Sequence, residues 1–168
     1  MMILVKLSIF ILIIMITTRL GFLKVNLFKT RLEELQKFKS ALVFMKTKIE
    51  FTYDPIKNIF EDISAVVYEN KENVFSSIKQ NTNDFFKEWE KGILIYKDVL
   101  KKEDIQIIRN FGKMLGKTDK NGQISEIDLC TELIDKQIKD AEKILLKNEK
   151  LYKTLGVTSG ISICIILI

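Results

Sequence analysis

The sequence contains no histidine, one proline, seven glycines and two cysteines. Each shortage closes a route. Without histidine, the commonest general base and the commonest metal ligand are both gone. The cysteines, Cys130 and Cys164, lie on different stretches, the second inside an apolar tail. They offer neither a disulfide framework nor a zinc spacing, so a reduced compartment is expected. One proline and few glycines leave too few turn residues for a sheet sandwich. Arginine is scarce as well, three against 24 lysines. Lysine, isoleucine and asparagine richness is what an AT-rich genome produces, so the net charge of +5 is weak ground for nucleic-acid binding.

What remains is helix-forming sequence, 168 residues long, 47% hydrophobic and 29% charged. That is one domain's worth of chain, with enough apolar material for a core. Both ends are apolar. Residues 7–18 form an uncharged run bracketed by Lys6 and Arg19. Lysine and arginine snorkel, so Ile3 to Phe22 is long enough for one membrane crossing. A cleaved signal peptide is the rival, but Thr-Thr-Arg-Leu-Gly-Phe offers no small-x-small cleavage site. A retained anchor over residues 1–23 is the expectation.

From Val25 to Ile49 the apolar positions Val25, Phe28, Leu32, Leu35, Phe38, Leu42, Met45 and Ile49 recur every three or four residues. This predicts a long amphipathic helix with near-heptad spacing, ending near Phe51 to Tyr53. Asp54-Pro55 then reads as a helix start: Asp54 caps, Pro55 takes the first helical position, and Tyr53 is pushed out of helical geometry. Ile56, Ile59, Phe60, Ile63, Val66 and Val67 are expected inward. A further helix is predicted over Val74 to Gln80. After a break at Asn81-Thr82-Asn83 with Asp84 as cap, another should carry Phe85, Phe86, Trp89, Ile93, Tyr96 and Leu100. Those aromatics share one stripe in an acidic neighbourhood, which suits a core and not a platform for stacking bases.

Residues 101–116 predict a helix with Ile105, Ile108, Phe111 and Leu115 on one face. Gly112 inside it allows close packing and Gly116 ends it. No strand precedes these glycines, so a phosphate loop is a poor alternative. Thr118 to Gln123 reads as a turn. Asp119 to Gly122 has the start of a calcium loop but none of its later carboxylates. The last helix is predicted from near Ser125, with Ile127, Cys130, Ile134, Ile138, Ala141, Leu145, Asn148, Tyr152 and Leu155 as its stripe. It runs into the 14-residue tail Leu155 to Ile168, about 21 Å of helix against the ~30 Å core of a bilayer. That tail crosses a thinned bilayer, begins its burial earlier through Lys150 and Lys153, or inserts partway. Gly156 and Gly160 form a G-x-x-x-G pair that would admit the N-terminal segment closely.

Basic residues crowd the inner flank of both segments, which places residues 24–154 in the cytoplasm and sends both ends outward. Residues 19–53 carry net +5, residues 54–90 net −4 and residues 91–121 net +4. Two long helices meeting one membrane must be antiparallel neighbours. The fold class expected is all-α: an antiparallel helical bundle with two long stem helices near the membrane and apolar segments at both chain ends.

These residues resemble the stage III sporulation protein AB family of endospore-forming bacteria. The matching features are Gly21-Phe22 closing the anchor, K-I-E-F-T-Y-D-P-I at Lys48 to Ile56, F-G-K-M-L-G at Phe111 to Gly116, and K-N-E-K-L-Y-K-T-L-G at Lys147 to Gly156. They run in order along nearly the whole chain, and Asp54, Pro55, Phe111, Gly112, Gly116, Asn148 and Gly156 carry them. The resemblance implies a protein of the mother-cell membrane facing the forespore, part of the assembly linking the two. Its implied partners are other sporulation channel proteins and a cytoplasmic ATPase similar to secretion and pilus motors, which acts on a platform like this one. No cofactor, metal or catalytic residue is implied.

A non-enzymatic platform is therefore the first expectation. Its candidate docking surface is Lys97, Lys101, Lys102, Arg109, Lys113, Lys117 and Lys120, although the same residues on a solvated face of a lysine-rich chain need no partner. A membrane-anchored scaffold or sensor that self-associates through its stem, as a homo-oligomer, is the alternative. An enzyme has no nucleophile–base pair, carboxylate dyad or ligand cluster to rest on. Asp54, Glu61 and Asp62 share a face, but capping and solvation explain them.

Overall fold

A computed structural model describes residues 2–52, 54–78 and 84–166, with side chains from Ser8 onward. Among these every regular element is helical: α1 (Met2–Phe51), α2 (Ile56–Val66), α3 (Phe85–Ile93), a 3-10 turn (Leu94–Tyr96), α4 (Lys102–Met114) and α5 (Lys120–Ile166). The chain divides into two compact units, Met1–Leu32 with Asp140–Ile168, and Glu33–Lys139. Helices α1 and α5 contribute to both.

The first unit is an antiparallel helix pair. Small residues set its spacing. A β-carbon on Gly156 would lie 3.0 Å from the Thr17 carbonyl oxygen, and one on Gly21 would lie 2.5 Å from that of Tyr152. On Gly160 it would meet Thr17 Oγ1 at 2.5 Å. Backbones therefore touch where any side chain would hold them apart, as the G-x-x-x-G spacing predicts. Further along, Cys164 Sγ approaches the Phe10 carbonyl at 3.7 Å. At the other end Phe28 packs on Tyr152, and Glu149 lies 2.7 Å from Lys153 and 3.7 Å from Lys29. Arg31 is buried and reaches Asp140 at 3.2 Å.

The second unit holds the core. The α1 stripe behaves as its spacing predicts, with Leu35, Phe38, Leu42, Met45 and Ile49 buried. They pack under an aromatic cluster of Phe38, Phe60, Phe75, Trp89 and Phe111, neighbouring rings being 5.4–6.4 Å apart. That range is normal for aromatic pairs in a protein interior. Trp89 is fully buried and its indole N–H donates to the Ile108 carbonyl at 3.0 Å. The aromatics are core. Here too α1 and α5 are antiparallel, with Lys39 at 2.7 Å from Asp135 and Lys46 at 2.7 Å from Asp128.

Several elements differ from expectation. Helix α2 starts at Ile56, with Pro55 in the capping position and no side-chain cap. Asp54 instead lies 3.8 Å from Lys48, which pairs more closely with Asp62. Pro55 has extended geometry, ψ 140°, so its carbonyl and not the Asp54 carboxylate accepts from the first turn. Val66 is 65% exposed, because α2 ends there. The region 74–78 is a turn, not a helix. The buried Asn73 carboxamide oxygen accepts from the Phe75 and Ser76 N–H groups at 2.9 and 3.0 Å, the geometry of a helix cap, and holds this turn in place. The single helix expected from Phe85 to Leu100 gives way to the 3-10 turn after Ile93, although Trp89, Ile93, Tyr96 and Leu100 remain buried. Helix α5 starts at Lys120 because Asp119 caps it, accepting from the Gly122 N–H at 2.9 Å. Leu155 is 52% exposed, its place in the stripe passing to buried Gly156. Asp84 caps α3 as predicted, accepting from Lys87 N–H at 3.1 Å. Tyr53, residues 79–83 and the last two residues of the tail lie outside the described residues.

Candidate functional site

Helix α4 carries three of the seven basic residues singled out in the sequence, Lys102, Arg109 and Lys113. Its start is held from inside: Asp104, fully buried, accepts from the Lys101 N–H at 2.9 Å. An acid at the third helical position is half of a capping box, and K-K-E-D is the signal that would have found it. Its end is Gly116, whose φ of +74° is the left-handed geometry a helix stop requires. In between, a β-carbon on Gly112 would collide with the Trp89 ring. Gly112 therefore brings α4 directly onto α3, with Phe111 buried beside it.

The seven basic residues do not form one equivalent set. Arg109 pairs with Glu90 at 3.2 Å. Lys113 lies 5.6 Å over the Phe86 ring, and Lys120 donates to the Glu50 carbonyl at 2.8 Å. Lys97, Lys102 and Lys117 are exposed. Of these, Lys102 borders a groove of about 530 Å³ between α4 and α5. Ile107, Met114, Leu129 and Leu133 line that groove, with Phe111 and Cys130 at its floor. Leu129 is 53% exposed, so the groove presents apolar surface beside a lysine. A second groove, of about 660 Å³, runs along α1 past Val43, Phe44, Thr47 and Phe51 to Val67.

Burial pushes the Cys130 thiol up to about 12, so it stays protonated and is not a nucleophile at neutral pH. Burial likewise raises the Tyr96 phenol to about 12; its oxygen accepts from the Val74 N–H at 3.3 Å. No group of three or more acidic or cysteine side chains that could hold a metal occurs among the described residues. Asp54, Pro55, Phe111, Gly112, Asn148 and Gly156 make contacts within the fold, and Gly116 has the helix-stop φ. Asn148, for example, donates to the Ile144 carbonyl at 2.8 Å along its own helix.

Helix α1 contains an 18-residue window apolar enough to cross a membrane, only 11% of it buried. No other helix passes that test among the described residues.

Comparison with known proteins places these features in a family. Residues 6–168 match the family model described as stage III sporulation protein AB. Stage III sporulation protein AB of Bacillus subtilis (strain 168) is 24% identical over 161 residues, covering 92% of this chain and 94% of its own. A solved structure of a stage III sporulation protein AB superposes with a TM-score of 0.58 at 20% identity, over 69% of this chain and 96% of that one. At that identity the superposition speaks for the fold.

Proposed function

The chain belongs to the stage III sporulation protein AB family, and from that membership we propose that it is a non-enzymatic membrane platform on which a cytoplasmic secretion-type ATPase docks. The helix pair 1–32/140–168 anchors it in the mother-cell membrane facing the forespore, and the unit 33–139 lies in the cytoplasm. The observation that supports this reading most is the division of labour among side chains. In the second unit the aromatic and polar interiors are spent on rigidity, through Trp89, Asn73 and Asp104. What is left outward is an apolar groove bordered by Lys102, Glu103 and Glu126, a surface suited to a protein partner. The absence of histidine from the sequence and the protonated Cys130 support a role without catalysis.

The docking surface is the α4–α5 groove with Lys102 at its border, together with the exposed Lys97 and Lys117. Long-range attraction between this surface and an acidic patch of the motor would speed association and weaken with salt. Replacing Lys102→Glu and Lys117→Glu together is expected to lower ATPase binding roughly tenfold at low ionic strength, with the difference narrowing at high salt. Equal binding of the variant and the parent in a co-sedimentation assay refutes the assignment.

A further inference from the structure

The positive charge of this protein is not spread over it. The helix pair, residues 1–32 with 140–168, contains nine basic and three acidic residues, net +6. Residues 33–139 contain eighteen basic and nineteen acidic residues, net −1. The whole excess of the chain therefore sits on the unit that carries the apolar ends.

Within that unit the acids are largely occupied. Asp140 is with Arg31 at 3.2 Å, and Glu149 is with Lys153 at 2.7 Å and Lys29 at 3.7 Å. Glu142 is the exposed carboxylate that remains. Lys24, Lys143, Lys147 and Lys150 are exposed, and no carboxylate among the described residues lies within ion-pair distance of them. Residues 143, 147 and 150 share one face of α5, being four and three residues apart. Lys24 joins them by the antiparallel register. Lys153 lies 5.6 Å over Phe22 and Glu149 reaches Lys29, so Lys150 stands at the level of Lys24 between those contacts. Lys147 and Lys143 follow about 4.5 and 10.5 Å further along the helix axis. The collar thus spans roughly one Debye length at physiological salt. Its lower edge coincides with exposed apolar side chains, among them Leu23, Leu151 and Leu155.

We propose that this collar binds the phosphate headgroups of anionic phospholipids, so that the helix pair selects acidic lipid from the bilayer around it. The inference rests on the reading of the pair as a membrane anchor. An acidic protein partner would have to approach the same lysines through the lipid headgroup layer, whereas lipid phosphates are already at that level. Each lysine near an anionic surface is worth roughly a fivefold gain in association.

The test uses the full chain reconstituted in phosphatidylcholine vesicles holding a trace of spin-labelled phosphatidylglycerol or spin-labelled phosphatidylcholine. The fraction of label immobilised by the protein is read by electron spin resonance. Phosphatidylglycerol is expected to associate about fivefold more strongly than phosphatidylcholine at low salt, and nearly equally in 1 M salt. The variant Lys24→Gln/Lys143→Gln/Lys147→Gln/Lys150→Gln should lose the preference, while Lys97→Gln/Lys102→Gln/Lys117→Gln keeps it. Equal association of both lipids with the unmodified chain overturns the proposal. A preference that survives 1 M salt, or that the collar variant retains, also overturns it. These readings need a chain that stays in the vesicles after a carbonate wash. A chain stripped by carbonate instead overturns the membrane anchor, and the collar with it.

Discussion

Burial of Tyr68, Tyr96 and Cys130 ties stability to alkaline pH. Burial raises all three, Tyr96 and Cys130 to about 12 and Tyr68 well above the usual phenol range. In the unfolded chain the thiol ionises near 9.0 and the phenols near 10.0. The folded chain therefore keeps protons that the unfolded chain releases, and the stability these groups contribute is full below pH 9 and lost as pH rises toward 12. Lys46 and Lys48 act in the same direction, raised chiefly by hydrogen bonds to Asp128 and Asp62. A melting midpoint that holds steady from pH 6 to 8 and falls above pH 9 is expected; circular dichroism of the detergent-solubilised chain measures it. A midpoint that climbs between pH 9 and 11 contradicts the assignment. At this scale the sequence was only half legible. Leu35, Phe38, Leu42 and Met45 announce their burial by spacing, whereas Arg31 is buried against Asp140, a distant partner that no local pattern names.

Among the elements, the two long helices are held by different means in each unit. In the helix pair the spacing is set by Gly21, Gly156 and Gly160, which let backbones touch. In the other unit it is set by large side chains, with Lys39–Asp135 and Lys46–Asp128 bridging the two helices across the surface. Gly156→Leu would drive a side chain into the Thr17 carbonyl and separate the pair. Oxidative cross-linking of a Phe10→Cys substitution to native Cys164, with Cys130→Ser, reports that separation. The yield is expected to drop about threefold in the Gly156→Leu variant, matching roughly 0.6 kcal/mol of helix association; an unchanged yield contradicts the role given to Gly156. The long helices were readable because their stripes run uninterrupted for many turns. The short elements were not. Val74 to Ile78 has the apolar spacing of a helix and a capping Asn73 before it, yet it forms only a turn. The chain after Ile93 tightens into a 3-10 turn that keeps Tyr96 and Leu100 inward without helical spacing. Asp119 likewise moved the start of α5 five residues ahead of Ser125 by capping at a place that reads as a turn.

For the whole molecule, membership of the sporulation family and an all-helical fold are established, and the platform is the reading that joins them. Both were legible in the sequence: the fold through periodicity, the family through Lys48 to Ile56, Phe111 to Gly116 and Lys147 to Gly156. The candidate site was less so. Arg109, Lys113 and Lys120 look equivalent to Lys102 and Lys117 along the chain, and only their neighbours Glu90, Phe86 and Glu50 separate them. The platform reading requires that residues 33–139 face the cytoplasm, where an ATPase can reach them. A single accessible cysteine tests this directly: Lys97→Cys in the Cys130→Ser/Cys164→Ser chain, treated in intact cells with a thiol reagent that does not cross membranes. The account predicts no labelling until the cells are permeabilised, and full labelling afterwards. Labelling of Lys97→Cys in intact cells would place this unit on the outer side and contradict the platform.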